Sequence, residues 1–564
     1  MSGPGEPAAS DSPDGYRELR QGSVLVATGI LLSRIAGLVR ESATAHFLGT
    51  GVGAEAFKAA LRIPNLLQNL LGEGVLSASF IPVYSKALAE GRERDAGRLA
   101  GAVAGLLLAV TSVLVVIGVV FAHPITRLFT PGFVPGTDRF ELTVTLVRIL
   151  TPGIGFLVLS AWCLGILNSH RRFFLSYVAP VVWNAAIVGA LATAALLTAS
   201  ELGLAQAMAW GALLGSVLQF AVQLPAVLRR SPGLVVSVSM AVPGVRTVIR
   251  RFGQVVAGRG GVQLASYVDL IVASLLAFGA VAALTFAQVL YLLPIGLFGM
   301  SVAAAELPAL STIDHADRPR VVARLDAGLG RVAFFVVPST VAYVLVGDLI
   351  VGTVFQSGAF TADAARQVGL ILAVYAFGML ASTSSRLLQS ALYGAGDTRT
   401  PAIYAVMRVV LATTIGVAIM FPLDALQLTA DGLRVVGDVG WHIAAESDRL
   451  GPDNLLRLGA AGLAFGAAVG SWVEYGLLRR RTAIVFGATR LGGPRARALA
   501  AGATVAVVAA LSSRWLVAQV ELPARLEGIV AMLVIGTSYL VATRRLGVPE
   551  ARELTRVISR GRRR

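Results

Sequence analysis

The sequence predicts an all-α polytopic membrane protein with about 14 transmembrane helices, as two six-helix repeats (helices 1–6 and 7–12) around a central cavity plus two C-terminal helices. Three observations carry this. First, 55% of the 564 residues are apolar, only 14% are charged, and the mean hydropathy is +0.74. A soluble chain carries about 25% charged residues, so a soluble enzyme, a disordered scaffold and a coiled coil are excluded. Second, the apolar residues fall in runs of the length that crosses a bilayer, about 20 residues. Third, the chain resembles itself at a distance of about 226 residues, from Pro82 to Pro308.

In order, the apolar runs fall at 24–47, 57–84, 99–121, 141–166, 174–198, 203–228, 252–277, 280–309, 331–353, 367–393, 401–421, 458–478, 498–519 and 526–543. The second and eighth are interrupted by charged or polar residues. The first twenty residues, MSGPGEPAASDSPDGYRELR, lack the apolar core of a signal peptide and read as a disordered cytoplasmic tail. Basic residues alternate by loop. One side holds Lys86, Arg92, Arg94 and Arg98, then Arg171 and Arg172, then Arg229 and Arg230, and later Arg479, Arg480 and Arg481. The other holds only scattered ones such as Arg127, Arg139, Arg366, Arg434, Arg449, Arg457 and Arg525. The positive-inside rule then places both termini in the cytoplasm. The formal charge of +16, nearly all Arg, is accounted for by topology, so the basic tail RVISRGRRR calls for no nucleic acid. The single Cys163 excludes a disulfide framework and a thiolate cluster.

The internal repeat sets the domains. LSASFIPVYSK from Leu76 recurs as MSVAAAELPALS from Met300. LFTPGF (Leu128 to Phe133) recurs as VFQSGAF (Val354 to Phe360), and NSHRRFF recurs as YGAGDTRTP. An even number of helices per copy makes the repeats parallel, the architecture of a two-lobed transporter. The expected divisions are a tail at 1–20, an N-lobe at 21–230, a C-lobe at 231–480, helices 13–14 at 481–547 and a basic tail at 548–564.

Ionisable residues inside membrane spans are costly and face a cavity or a partner. Helix 1 carries Arg34, Arg40 and Glu41; helix 2 carries Lys58, Arg62 and Glu73; helix 7 carries Arg259 and Asp269. Glu306, Arg386, Arg408 and Glu474 follow on helices 8, 10, 11 and 12. Cations outnumber anions, which suits an anionic substrate, because Arg binds phosphate oxygens bidentately and keeps its charge. Arg40 has Glu41 or Glu55 as an alternative partner. Arg34 and Arg259 hold nearly equivalent places in the two repeats and would clamp a pyrophosphate between them. Asp269 is the candidate coupling-ion or proton site, its alternative a salt bridge to Arg259 or Arg408. The five histidines lack metal-ligand spacing, and no P-loop occurs, so no metal or nucleotide cofactor is expected.

These residues resemble the MurJ (MviN) family, the lipid II flippases of the MOP exporter superfamily. The resemblance rests on SRIAGLVRE, AEAFKAALRIPNLL, LGEGVLSASFIPVYS, TPGF, GILNSHRRFF followed by APVVWN, FQSGAFTADA and LYGAGDTRTP, in one order from about residue 23 to about 480. It implies fourteen helices, alternating access, and transfer of the undecaprenyl-pyrophosphate-linked peptidoglycan precursor to the periplasmic leaflet of the bacterial inner membrane. It also implies a groove for the lipid tail at helices 13 and 14. The family's functional positions fall on Arg34, Arg40, Arg62 and Glu73, and an acidic sodium ligand in helix 7 of some members corresponds to Asp269. The family's Arg after PNLL is replaced by Gln68, and its helix 8 Arg by Gln288 and Val289, with Arg259 as the substitute one helix away.

The reading is therefore a transporter and not an enzyme. Its substrate is lipid II, with membrane lipids around it and Na+, H+ or the membrane potential as driving force. The alternatives are a MOP-type exporter of another polyprenyl-linked glycan and a non-transporting paralogue that acts as a scaffold for cell-wall synthesis proteins. A cation-coupled drug antiporter is disfavoured by the Arg surplus, and a membrane glycosyltransferase by the lack of clustered acids in the loops.

Overall fold

The computed structural model describes residues 13–197, 200–265, 267–299, 317–429, 432–436, 438–444, 449, 457–489, 493–520 and 522–561; side chains before Thr28, those of 258–266 and 298–299, and those beyond Arg556 are outside the description. The described residues are mostly helical, with one β-hairpin. Eleven helices are long and apolar enough to cross a membrane, or twelve if a pair bent by 41° is one span. The expected count of fourteen is therefore not reached among the described residues. The first and seventh expected spans, 24–47 and 252–277, are helical, as α1 (Pro13–Leu48) and α11 (Val245–Ala265), but charges recur along both. The seventh is moreover broken: α12 (Val268–Ala273) begins after α11 ends.

Two compact units divide the chain. The first contains α1 and continues with α2 (Val52–Leu71), α3 (Glu73–Ser79), α4 (Ile81–Ala89), α5 (Glu93–Val120), α6 (Ala122–Phe129), α7 (Asp138–Leu150), α8 (Gly153–Ser169), α9 (Phe173–Leu197), α10 (Glu201–Leu228) and α11. The expected second span is thus split at Gly72 and Phe80, where Pro82 opens α4. The fourth is bent where Pro152 caps α8. Proline lacks the N–H that would continue a helix, so both breaks follow from its position. The core of this unit gathers Phe80, Tyr84, Leu99, Val158, Trp162 and Ile166. Along α5, a Cβ added to Gly101 would lie 2.1 Å from the Val235 carbonyl oxygen. Only glycine lets the extended 232–237 segment lie against this helix, where Ser237 N donates to the Gly101 carbonyl.

The second unit holds α12, α13 (Ala280–Pro294), α14 (Arg318–Phe355), α15 (Ala362–Gly394), α16 (Arg399–Asp424), the strands β1 (Leu426–Thr429) and β2 (Gly432–Val435), α17 (Gly459–Phe486), α18 (Pro494–Gln519), α19 (Ala524–Arg545) and α20 (Pro549–Gly561). α16 and α17 pack through small residues: a Cβ on Gly466 would fall 2.2 Å from the Ala412 carbonyl oxygen. Such close backbone approach is how helices associate where lipid offers no hydrophobic drive. The loop expected at 422–457 contains the antiparallel hairpin β1–β2, with Gln427 bridging to Arg457. Arg457 Nη1 donates to the Asp424 carbonyl, and the Asp424 carboxylate accepts from Ala277 N.

The repeated turns repeat in geometry. At the end of α8, Arg171 N donates to Asn168 O and Arg172 N to Leu167 O; at the end of α15, Gly396 N donates to Tyr393 O and Asp397 N to Leu392 O. Both are Schellman caps, closed by a left-handed residue, Arg171 (φ 57°) in one copy and Gly396 (φ 82°) in the other. After α6 and α14 a buried phenylalanine, Phe133 or Phe360, ends a tight turn, and a threonine, Thr137 or Thr361, caps the next helix through its hydroxyl. The Pro308 and Ser311 half of the other match lies outside the described residues, as does Glu306.

Candidate substrate-binding site

In the first unit α1 and α2 bring Arg40, Glu41 and Lys58 together. Arg40 Nη2 lies 2.6 Å from Glu41 Oε1, and Lys58 Nζ pairs with the other oxygen of the same carboxylate. The Lys58 and Glu41 side chains are only 3% and 7% exposed, so neither ion is solvated by water. Buried ions are tolerated only when paired, and here two cations share one anion. The Arg40 guanidinium also lies 5.0 Å from the centre of the Trp183 ring of α9, which stabilises it through the ring's negative face. Of the two partners expected for Arg40, Glu41 is the one it meets.

Glu55 is committed elsewhere. Its Oε2 lies 2.8 Å from Arg139 Nε at the start of α7, and the Arg139 guanidinium stacks 3.6 Å from the Phe133 ring centre. Arg139, read from the sequence as a loop cation, is 4% exposed and ties α7 to α2. The ring it stacks on, Phe133 of the preceding turn, is itself buried. Arg62, one turn beyond Lys58, is half-buried, and so is Gln68. Gln68, Asn65 and Pro64 line a small cleft with Trp183, Leu150 and Ile154. Glu73 opens α3 and is exposed.

Arg34 lies six residues before Arg40, about 9 Å along α1 and about 120° around it, so it presents a different face. It is half-buried and has no ion-pair partner among the described residues. The backbone at Arg259 belongs to α11, which packs on α3, α2 and α5 within the first unit. The sequence placed this helix in the second lobe, opposite Arg34. The Arg259 side chain lies outside the described residues. Asp269, expected in mid-span, occupies the first turn of the short α12 in the second unit and is half-buried. Of its alternative partners, Arg408 pairs with Glu474 instead. Among the described residues no group of three His, Cys, Asp or Glu side chains could hold a metal ion.

The last two spans have their own place in the second unit. α18 and α19 pack on α14, where Arg514 of α18 grips both Asp348 oxygens at 2.8 and 3.0 Å, and Arg495 of α18 pairs with Glu550 of α20. Between α14 and α19 lies a cavity of about 320 Å³, lined by Phe334, Tyr343, Met532, Ile535 and Tyr539, with Leu554 of α20 at one end.

Residues 44–437 match the family model described as lipid II flippase MurJ. The chain is 31% identical over 423 residues to the probable lipid II flippase MurJ of Rhizobium tropici, covering 73% of this chain and 78% of that one. It is 31% identical over 386 residues to the lipid II flippase MurJ of Burkholderia cenocepacia, covering 67% and 74%. Among solved structures it superposes on a lipid II flippase MurJ in an inward closed conformation with a TM-score of 0.70 at 21% identity, over 93% of this chain and 99% of that one. An inward-facing multidrug resistance MATE family transporter of the MOP superfamily follows at 0.56 and 16%, over 79% and 95%. Both structural likenesses speak for the polytopic transporter fold. The sequence matches go further: the chain belongs to the lipid II flippase MurJ family.

Proposed function

We propose that this protein moves lipid II, the undecaprenyl-pyrophosphate-linked peptidoglycan precursor, from the cytoplasmic to the periplasmic leaflet of the bacterial inner membrane by alternating access, with both termini cytoplasmic. Membership of the family carries the reading. The charge distribution supports it: Arg40 and Lys58 both pair with the one carboxylate of Glu41, and Arg34 on another face of α1 has no ion-pair partner among the described residues. A pyrophosphate supplies the missing negative charge, and the forked guanidinium binds its oxygens in pairs. Arg34, Arg40, Arg62 and Arg259 are the binding cations, and Glu73 bounds the site. The prenyl tail lies along the last two spans, at the mostly apolar-lined 320 Å³ cavity between α14 and α19. Asp269 couples transport to Na+ or H+, with the membrane potential as the alternative drive.

The test is rescue of a bacterium depleted of its own lipid II flippase. Wild type restores growth, while Arg34→Ala, inserted at equal level, does not. Full rescue by Arg34→Ala refutes the role of that residue. Failure of an inserted wild type refutes lipid II as substrate and turns attention, through Gln68 and Val289, to another polyprenyl-linked glycan.

A further inference from the structure

The second unit contains a charge cluster that none of the preceding roles uses. Arg386 and Gln389 lie on α15, Arg408 on α16 and Glu474 on α17. By helical rise, Arg386 is about 12 Å from the end of α15 and Arg408 about 14 Å from the start of α16. That is well inside the hydrocarbon depth of a bilayer. Charges there are expensive unless they meet each other or a ligand.

The pairing is unequal. Glu474, 5% exposed, accepts from Gln389 Nε2 at 3.0 Å on one oxygen and faces Arg408 Nε at 3.1 Å on the other. The Arg408 contact is close but not aligned as a hydrogen bond, and its side chain is 36% exposed. Arg386 is exposed and has no ion-pair partner among the described residues. Two guanidinium groups and one carboxylate leave a net charge of +1. Tyr291 of α13 completes the setting: it hydrogen-bonds Ser382, one turn before Arg386, and lies within electrostatic range of both arginines. It stands two residues beyond Val289, where the sequence lacks the cation expected on this helix.

We infer that Arg386 and Arg408 form a second binding site for a phosphate ester, the diphosphate of the lipid-linked substrate, with Glu474 as the counter-ion that Arg408 exchanges for the phosphate. The site rests on the proposed transport of a polyprenyl diphosphate and supplies, from α15 and α16, the cation that α13 lacks. Exchange is feasible because Glu474 keeps its Gln389 hydrogen bond when Arg408 turns away, and because Arg408 offers its Nη donors to a ligand while Nε rests on the carboxylate.

The test is equilibrium binding of undecaprenyl diphosphate to the full chain in phosphatidylcholine nanodiscs. Arg386→Gln and Arg408→Gln each weaken binding by about ten- to a hundredfold, the loss of one charge-assisted pair. Arg408→Lys keeps the ion pair with Glu474 but loses the fork, and weakens binding at least about fivefold without a fall in Tm. Glu474→Gln removes the internal competitor and tightens binding about five- to tenfold. A structural role predicts the reverse: Arg408→Lys binds as wild type, and Glu474→Gln lowers Tm with no gain in affinity. That result, or unchanged affinity in both Gln variants of the arginines, overturns the inference. Phosphatidylglycerol doped into the nanodiscs separates the two sources of a phosphate ester. Competition at equal affinity, lost in the same variants, makes this a headgroup site and also overturns it. Failure of wild type to rescue flippase-depleted cells, with Arg-dependent diphosphate binding intact, would refute lipid II transport while leaving this site standing.

Discussion

Breaking the Glu55–Arg139 pair tests how the first unit is held together. Glu55 is 0% exposed and Arg139 4%, with 2.8 Å between Oε2 and Nε. Arg139→Leu leaves a carboxylate in an interior that water does not reach. Removing one member of such a pair costs about 3–5 kcal/mol, whereas replacing both by apolar groups of similar volume is close to neutral. Arg139 also stacks on Phe133 at 3.6 Å, a contact that a leucine partly replaces. The single variant Arg139→Leu should therefore lose more than about a hundredfold in its folded-to-unfolded ratio. Glu55→Leu combined with Arg139→Leu should recover most of it. The assay is unfolding of the detergent-solubilised chain, followed by tryptophan fluorescence, on wild type, both singles and the double. A coupling free energy above about 2 kcal/mol is expected from the cycle. If the double falls by the sum of the singles, to within about 0.5 kcal/mol, the pair does not hold α7 to α2 and the reasoning fails.

Four further outcomes follow from local geometry. Arg171 occupies the left-handed position that Gly396 fills in the repeated turn, at a cost of about 1 kcal/mol that glycine does not incur; Arg171→Gly should raise stability by up to that amount, read as a higher Tm. Gly101→Val places a side chain where the Val235 backbone lies and should destabilise by about 1–3 kcal/mol, with new protease cleavage in the 232–237 segment. The Asp397 carboxyl is held below the usual aspartate range by the Thr400 N–H, then by the Thr400 hydroxyl and Arg481. Its contribution is thus fully present above the unfolded aspartate value of about 3.9 and is lost as pH falls through the lower folded value. Asp397→Asn should be less stable than wild type at pH 7 and equal to it in strong acid, measured as Tm against pH. His170, whose Nε2 lies 3.0 Å from the Tyr84 hydroxyl, is pushed below the usual imidazole range by burial and by Arg230. The folded state favours its neutral form, so its stabilisation is lost as pH drops below about 6.5; His170→Gln should flatten that part of the profile.

Several features were legible without coordinates. The apolar runs and the repeated turns depend on residues adjacent in the chain, and local sequence expresses them directly; the breaks at Pro82 and Pro152 appear only in the structure. The Thr137 and Thr361 caps show that the repeat LFTPGF/VFQSGAF encodes the same backbone twice, and the paired Schellman turns show it for NSHRRFF/YGAGDTRTP. The family was also readable, because its motifs occur in one order along most of the chain.

Partnership was not readable in the same way. The sequence offered Glu41 and Glu55 to Arg40, and only the packing of α2 on α7 assigns Glu55 to Arg139 and leaves Glu41 between Arg40 and Lys58. It placed helix 7 in the second lobe, yet α11 packs with the first unit and Asp269 begins a separate short helix in the second. Hydropathy records how apolar a segment is and not which neighbour covers it. An ion pair between residues 84 apart in sequence, as for Glu55 and Arg139, depends on helix packing that no local pattern encodes. The sequence by itself determined that this is a duplicated, Arg-rich membrane transporter of one family. Tertiary structure decided which of its charges neutralise each other, because ion pairing at low dielectric is settled by a few ångströms of side-chain placement.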